Sequence, residues 1–466
     1  MSLVSSASLR AQATDLTSAI SRQQHILDGL QTQLQNVQHQ LDAIVYPVLT
    51  LPPEITSEIF VQCPPDRRML DVVNPTEAPL LLTHVCSAWR NIAVSTPALW
   101  STLEISATRI APYFSEIAKI WLQRSGQRPL SVRISGYVSQ IERLDEFLKA
   151  FGQHSGRMRT LKLTMHEESF EVMDGQRLAF PLLQFLNIST SGNPGRPNPV
   201  TIFHDDDVPA LREVFMRSPP SFFALPWKQL TKFTGERISA ADCRKALRLM
   251  PNLVDCSFAV LEDFEDVIPA ISYPSIESFT LFKKNLSYSA AILACLTLPG
   301  LQTLKILDTA DFDGDIFNAF LLRSGSRLQK LVISGVQIEI ASLRRVPSLV
   351  DLEISARAIW DIRDLFRPFG HDVTLLPRLQ KLSILGCRGG PGSRRASVSD
   401  IVRVAAAPMT ARMNAPDGFA PLQLFRLVSD IRSPASDCLD DELLPFKRLK
   451  AAGMDIHIGT ATESLV

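Results

Sequence analysis

One phrase returns along most of this chain and limits what it can fold into. A proline or loop is followed by leucine-x-x-leucine-x-isoleucine, or a close variant. It reads "MRTLKL" at 158, "LQFLNI" at 183, "LREVFM" at 211, "LTKFTG" at 230, "LVDCSF" at 253 and "IESFTL" at 276. It continues as "LQTLKI" at 301, "LQKLVI" at 328, "LVDLEI" at 349, "LQKLSI" at 379 and "LQLFRL" at 422. Starts are mostly about 19 to 30 residues apart, and a proline often stands two residues before the first leucine, as in "MPNLVD" and "LPRLQK". The alternating end of the phrase suits a short half-buried strand, and the interval leaves room for a helical return. A unit this small cannot cover its own apolar face, so neighbours have to stack. The predicted architecture is an α/β solenoid with a curved parallel sheet.

The phrase resembles a leucine-rich repeat, although the Asn/Cys ladder position of that family is seldom kept; "LQKLSILGC", with Cys387, matches it best. "LWSTLEIS" and "RPLSVRISG" read as degenerate opening strands. "DELLPFKRLKAAGMDIHI" reads as a closing helix, a stop at Gly453 and a last strand. The repeat domain is expected over 104–460, with a frayed tail at 461–466. In such an array, the residue between the last two apolar positions points out of the concave face. That row is Lys162, Asn187, Phe215, Thr234, Ser257, Thr280, Lys305, Val332, Glu353, Ser383 and Arg426. Its mixture of polar, apolar and oppositely charged groups suits a protein target. Nucleic acid would call for a basic row.

Ahead of the repeats lies a different period. From Leu9 to Ile44 one apolar row is Leu9, Leu16, Leu30, Val37 and Ile44, with Gln23 in the missing place; the other is Ala13, Ile20, Leu27, Leu34 and Leu41. A seam sustained for five heptads predicts a coiled-coil helix over 9–46 after a disordered start at 1–8. It pairs with another helix, another copy included, or folds back along its own chain. Tyr46-Pro47 ends it.

Between coil and repeats stands "LPPEITSEIF", residues 51–60. Proline suits the first turn of a helix and Glu54 meets the positive end of its dipole. A second apolar helix is expected in "LLLTHVCSAWRNIAV", with Leu81, Val85, Trp89 and Ile92 as its stripe, followed by "TPALW". Two short helices cannot bury a full core alone. Together, "LPPEITSEIF", "VCSAWRNIA" and "TPALW" resemble the F-box of long fungal F-box-like proteins, over 47–103. The interval between Phe60 and Val85 is longer than in compact F-boxes and reads as a loop insertion. The resemblance implies docking on the Skp-type adaptor of a cullin–RING (SCF) ubiquitin ligase through Leu51, Pro52, Pro53, Ile55, Ile59, Phe60, Val85, Cys86, Trp89 and Trp100. The chain would then be a substrate receptor, not an enzyme, with a cytoplasmic or nuclear location. The alternative is a coiled-coil and repeat scaffold with no ligase attached.

Composition narrows the remaining classes. Lys plus Arg and Asp plus Glu stand at 48 each, so no net field draws the chain to nucleic acid or an anionic membrane. No apolar run approaches the length of a membrane span, and the start has no secretory pattern. The seven cysteines never fall as CxxC, which points to reduced thiols rather than zinc or disulfides. "HDDDV" at 204–208 and "DFDGD" at 311–315 lack the spacing of a metal site, so no metal or cofactor is expected. "RRASV" resembles a basophilic-kinase substrate and makes Ser397 a candidate phosphorylation site.

Overall fold

The computed structural model describes residues 6–43, 50–63, 74–106, 114–136, 151–166, 170, 178–191, 199–260, 271–282, 290–307, 314–334, 338–355, 362–387, 398–414, 418–429 and 440–466. Ser397 and most of "DFDGD" lie outside these residues. The chain divides into two compact units, one N-terminal and one beginning with the described residues at Trp100.

The second unit is a leucine-rich-repeat-type α/β solenoid. Its sheet has fourteen parallel strands in unbroken sequence order. They are β1 (Thr102–Ser106), β2 (Leu130–Ser135), β3 (Met158–His166), β4 (Phe185–Ser191), β5 (Glu213–Met216), β6 (Lys232–Ile238) and β7 (Asp255–Val260). Then come β8 (Ser278–Phe282), β9 (Thr303–Leu307), β10 (Lys330–Ile333), β11 (Asp351–Ser355), β12 (Lys381–Cys387), β13 (Leu424–Ser429) and β14 (Asp455–Gly459). Both degenerate phrases near residues 100 and 130 are therefore true strands.

The repeated phrase works by register. Its middle leucine builds one buried row; over β9 to β12 this reads Leu304, Leu331, Leu352, Leu382, each facing the next. Its last apolar residue builds a second row, there Ile306, Ile333, Ile354, Ile384. Its first residue lies buried in the turn before the strand, as at Leu253, Ile276, Leu301, Leu328, Leu349 and Leu379. Each fully buried side chain of this size contributes about 1.5–3 kcal/mol.

Backbone carbonyls tie the turns together. From β4 to β12 the residue just before the strand offers one oxygen to two N–H groups of the next turn. Gln302 accepts from Gln329 and Lys330 at 2.8 and 2.9 Å, Gln329 from Val350 and Asp351, and Val350 from Gln380 and Lys381. The same pairing begins at Gln184 and recurs at Arg212, Thr231, Val254, Glu277 and Gln380. This ladder satisfies the turn amides without a regular Asn or Cys side chain.

The ends differ from expectation at two places. Trp100 belongs to the solenoid, so the boundary falls before it and not at 103. It is 1% exposed, stands edge-on to Trp121 at 4.7 Å and carries the Arg124 guanidinium over its ring at 4.5 Å. A flat cation over its ring and a second indole set edge-on against it close the first repeat. At the far end the closing helix (Asp440–Ala451) stops at Gly453, whose φ of +101° favours glycine, and β14 follows. The last six residues do not fray. Gly459 and Ser464 form an antiparallel bridge, Leu465 N–H donates to Ile458 O at 2.7 Å, and Lys450 Nζ donates to Val466 O at 2.7 Å. Backbone pairing along the last strand holds a tail that has little apolar content.

The N-terminal unit begins with α1 (Ser6–Asp42), which therefore includes residues expected to be disordered. Its seam is not covered by the chain: Leu9, Leu16, Ile20, Leu27, Leu30, Leu34, Val37 and Leu41 are all between 52% and 64% exposed. These side chains stand in solvent in this structure. Ile44 lies outside the described residues.

Candidate functional site: a helical hairpin and an open sheet face

Three short helices follow α1: α2 (Pro53–Val61), α3 (Leu80–Val85) and α4 (Ser87–Val94). Pro52 and Pro53 open α2, whose first turn carries Glu54. This helix has two apolar rows. Thr56 and Phe60 point inward at 3% and 2% exposure, and the Thr56 hydroxyl donates back to Pro52 O at 3.2 Å. Leu51, Ile55 and Ile59, also one turn apart, point outward at 38%, 51% and 48%.

Phe60 forms the unit's small core with Leu82 and Ala93, and Ala78, Trp89, Ile92 and Leu99 pack against it. The Phe60 and Trp89 rings meet edge to face at 4.9 Å. Phe60, expected on the docking face, is therefore buried in the hairpin's own core. Trp100, also expected there, is buried in the second unit. The expected single second helix is two helices, broken at Cys86, whose φ of −156° is extended. Cys86 caps α4 instead: its Sγ accepts from Trp89 N–H at 3.4 Å. Arg90 Nε donates to Thr83 O at 2.7 Å and ties the two helices together. The break splits the anticipated stripe. Leu81 and Val85 are 43% and 55% exposed, while Trp89 and Ile92 turn partly inward. Pro52 and Pro53 are exposed. Leu81, which sequence reasoning placed in the stripe but not among the docking residues, shares the exposed face of α3 with Val85 at helical spacing.

The second candidate surface is the open face of the sheet. The outward row has one member on every strand, in unbroken register. From β3 it runs Lys162, Asn187, Phe215, Thr234, Ser257, Thr280, Lys305, Val332, Glu353, Ser383 and Arg426. Glu104 and Arg133 extend it at one end and His457 at the other. Sequence reasoning missed these three because the phrase is degenerate there. Val332 and Ser383 are each 8% exposed, so neighbouring side chains largely cover them.

Beside this row runs a second one that pairs its charges internally. Lys232 Nζ lies 3.0 Å from Glu213, and Lys330 Nζ 2.7 Å from Asp351. The hydrogen bond to Glu213 holds the Lys232 ammonium above its usual value. Arg217 Nε reaches Glu236 at 2.7 Å while its guanidinium carbon stands 5.9 Å from the Phe215 ring centroid. Lys162 leans over Phe185 at 5.8 Å. The face thus sets apolar and aromatic groups beside ion pairs.

Among the described residues, no three His, Cys, Asp or Glu side chains gather to hold a metal. In "HDDDV", Asp207 instead turns back to accept from His204 N–H at 3.3 Å, a local cap. No helix among the described residues is long and apolar enough to cross a membrane.

No protein-family model matches the chain, and no curated protein does. A solved structure, that of the TLR13–ssRNA13 complex, matches at 14% identity and a TM-score of 0.38, over 67% of this chain and 40% of that chain. The chain spans about two fifths of the length of that structure.

Proposed function

We propose that this chain is a non-enzymatic interaction scaffold that binds one protein through the hairpin and another through the open sheet face. The observation that carries this reading is the division of α2. One row, Thr56 and Phe60, supplies the hairpin's own core, while Leu51, Ile55 and Ile59 contribute nothing to it and stand in solvent. Apolar rows left over after a core is complete mark binding surfaces.

The finer form of the proposal makes the hairpin's occupant a Skp-type adaptor bound to a cullin, and the chain the substrate receptor of an SCF-type ubiquitin ligase. The exposed row and the residues that resemble an F-box support it. The burial of Phe60 and Trp100 and the capping role of Cys86 weigh toward the plainer scaffold, because the resemblance assigned all three to adaptor contact. In the receptor form, transfer occurs on other subunits. The chain would raise the target's local concentration and fix its orientation.

Co-purification of the full chain with a Skp-type adaptor separates the two. The receptor form expects a stable complex that Ile55→Asp with Ile59→Asp abolishes, while the variant keeps its helical content. A wild-type chain that ignores the adaptor ends the ligase reading. An intact complex with the double variant removes α2 from the interface.

A further inference from the structure

The α1 helix poses a question that neither docking surface answers. Its seam runs from Leu9 to Leu41 with every large member more than half exposed. We infer that α1 pairs with α1 of a second copy of this chain, as a parallel, in-register, two-stranded coiled coil.

The choice of occupant rests on the residues around the seam. Partner choice in coiled coils is set mainly by charges flanking the apolar rows and by polar residues within them. With Ala13, Ile20, Leu27, Leu34 and Leu41 at the a positions, the flanks carry Gln12, Gln24, Gln31, Gln33, Gln38 and Gln40, and Arg10 is their one charge. No flanking charge selects a partner of different sequence. Nothing there repels an identical helix either. Primary amides are both donors and acceptors, so each is complementary to its own kind. In a parallel pair, Gln33 of one chain falls opposite Gln38 of the other.

Gln23 decides the direction. It stands at a d position, in the row of Leu9, Leu16, Leu30 and Val37. In an antiparallel pair every d residue layers against an a residue, so Gln23 would bury its amide against Ile20, Leu27 or Leu34 and leave it unsatisfied. In a parallel, in-register pair d faces d. The two Gln23 side chains then meet and bond to one another. An unpaired buried amide is costly and a paired one is not, so register and direction follow from one residue.

Pairing gives the assembly two hairpins and two sheet faces, which raises avidity for any partner that itself carries paired sites. The inference is independent of what binds the hairpin.

The test is the mass of the full chain in solution at micromolar concentration, by sedimentation equilibrium. Twice the chain mass is expected, falling to one for Ile20→Asp combined with Leu27→Asp and Leu34→Asp. Gln23→Cys, in a chain whose exposed Cys63 is replaced by Ser, should close an interchain disulfide on mild oxidation. A monomeric wild type, a trimer, or a dimer that survives the triple substitution overturns the pairing. A dimer that fails to cross-link at position 23 overturns its parallel register.

Discussion

Ile306 and Ile59 are the same residue in equally periodic surroundings, yet one is fully buried and the other is 48% exposed. Ile306 lies in β9, where Leu281 of β8 and Ile333 of β10 flank it in register. The inner strands repeat this arrangement, so an apolar residue at that position has a strand on either side. Ile59 lies on a helix that occurs once. Among the described residues the Phe60 row fills the hairpin's core, and no second copy of the unit covers the other side. The sheet uses up its apolar phrase internally, and what it presents outside is mixed and carries both signs of charge. The N-terminal unit does the reverse and presents apolar rows on both α1 and α2. Repetition closes a surface; a single copy leaves one for another molecule.

The sharpest way to break this contrast is to make the same change at both places. Ile306→Ala should lower stability by about 2–5 kcal/mol, because it removes buried methylenes from a row with no room to collapse. Ile59→Ala should change stability by no more than about 0.5 kcal/mol, as for a surface position. Urea unfolding of the full chain, followed by far-ultraviolet circular dichroism, reads both. Equal effects would mean that the α2 outer row is covered in solution by something within this chain.

The two regions also differed in how much of them could be read beforehand. In the array, the apolar alternation sets which residue points outward, and the outward row held through eleven strands because a slip of one residue would bury polar groups. In α2, two rows one helical step apart are both apolar enough to face a core. Periodicity cannot say which one does, so it does not foretell that Phe60 is the buried one. The division between α3 and α4 was hidden because Cys86, an extended residue acting as a cap, carries no helix-breaking chemistry of its own. Backbone pairing escaped as well. The tail at 461–466 relies largely, and the carbonyl ladder wholly, on main-chain groups, which leave no side-chain signal. So do three arginines: Arg157, Arg323 and Arg412 each reach back to carbonyls of an earlier segment. Arg412 is the extreme case. Its guanidinium lies between Phe369 and Phe419, at 4.7 and 4.6 Å, donates to Leu376 O at 2.7 Å, and is pushed down to about 10 by burial.

A smaller effect tests how closely the turns of the array stack. Gly300 stands in "LPGLQT" where other repeats carry Asn252, Ser275 or Ser348. A Cβ at position 300 would lie 2.3 Å from the Pro274 carbonyl oxygen of the preceding turn. The obstacle is backbone, so it cannot swing aside as a side-chain tip would. Gly300→Ala should therefore cost about 1–3 kcal/mol, whereas Ser275→Ala, at an equivalent turn, should cost far less. Thermal melts of the two variants compare them directly. A neutral Gly300→Ala would show that the turns have slack and that the strands alone hold the stack.

The smallest effect is one of pH, and it belongs to the array's first turns. Arg157 donates to Arg128 O at 3.2 Å and to Leu122 O at 3.4 Å, binding the segment before β3 to the helix before β2. The same nitrogen that donates to Leu122 O, Nη2, lies 2.9 Å from Nδ1 of His154, a contact that requires an unprotonated ring nitrogen as acceptor. Burial, and then the charge of Arg157, lower the His154 pKa from its ordinary 6.5. The sign follows from proton uptake. Between 6.5 and the lower native value the unfolded chain binds the proton more readily than the folded one, so stability falls as pH drops through that window. Above 6.5 both forms are neutral and the contribution is constant. Since His154 is partly solvent-exposed, the slope is shallow. Melting temperatures at about pH 7.5 and about pH 5 should differ less in His154→Gln, which keeps an acceptor but cannot titrate, than in the wild type. The same acid sensitivity in both would place its origin elsewhere and leave the Arg157 clamp indifferent to the imidazole beside it.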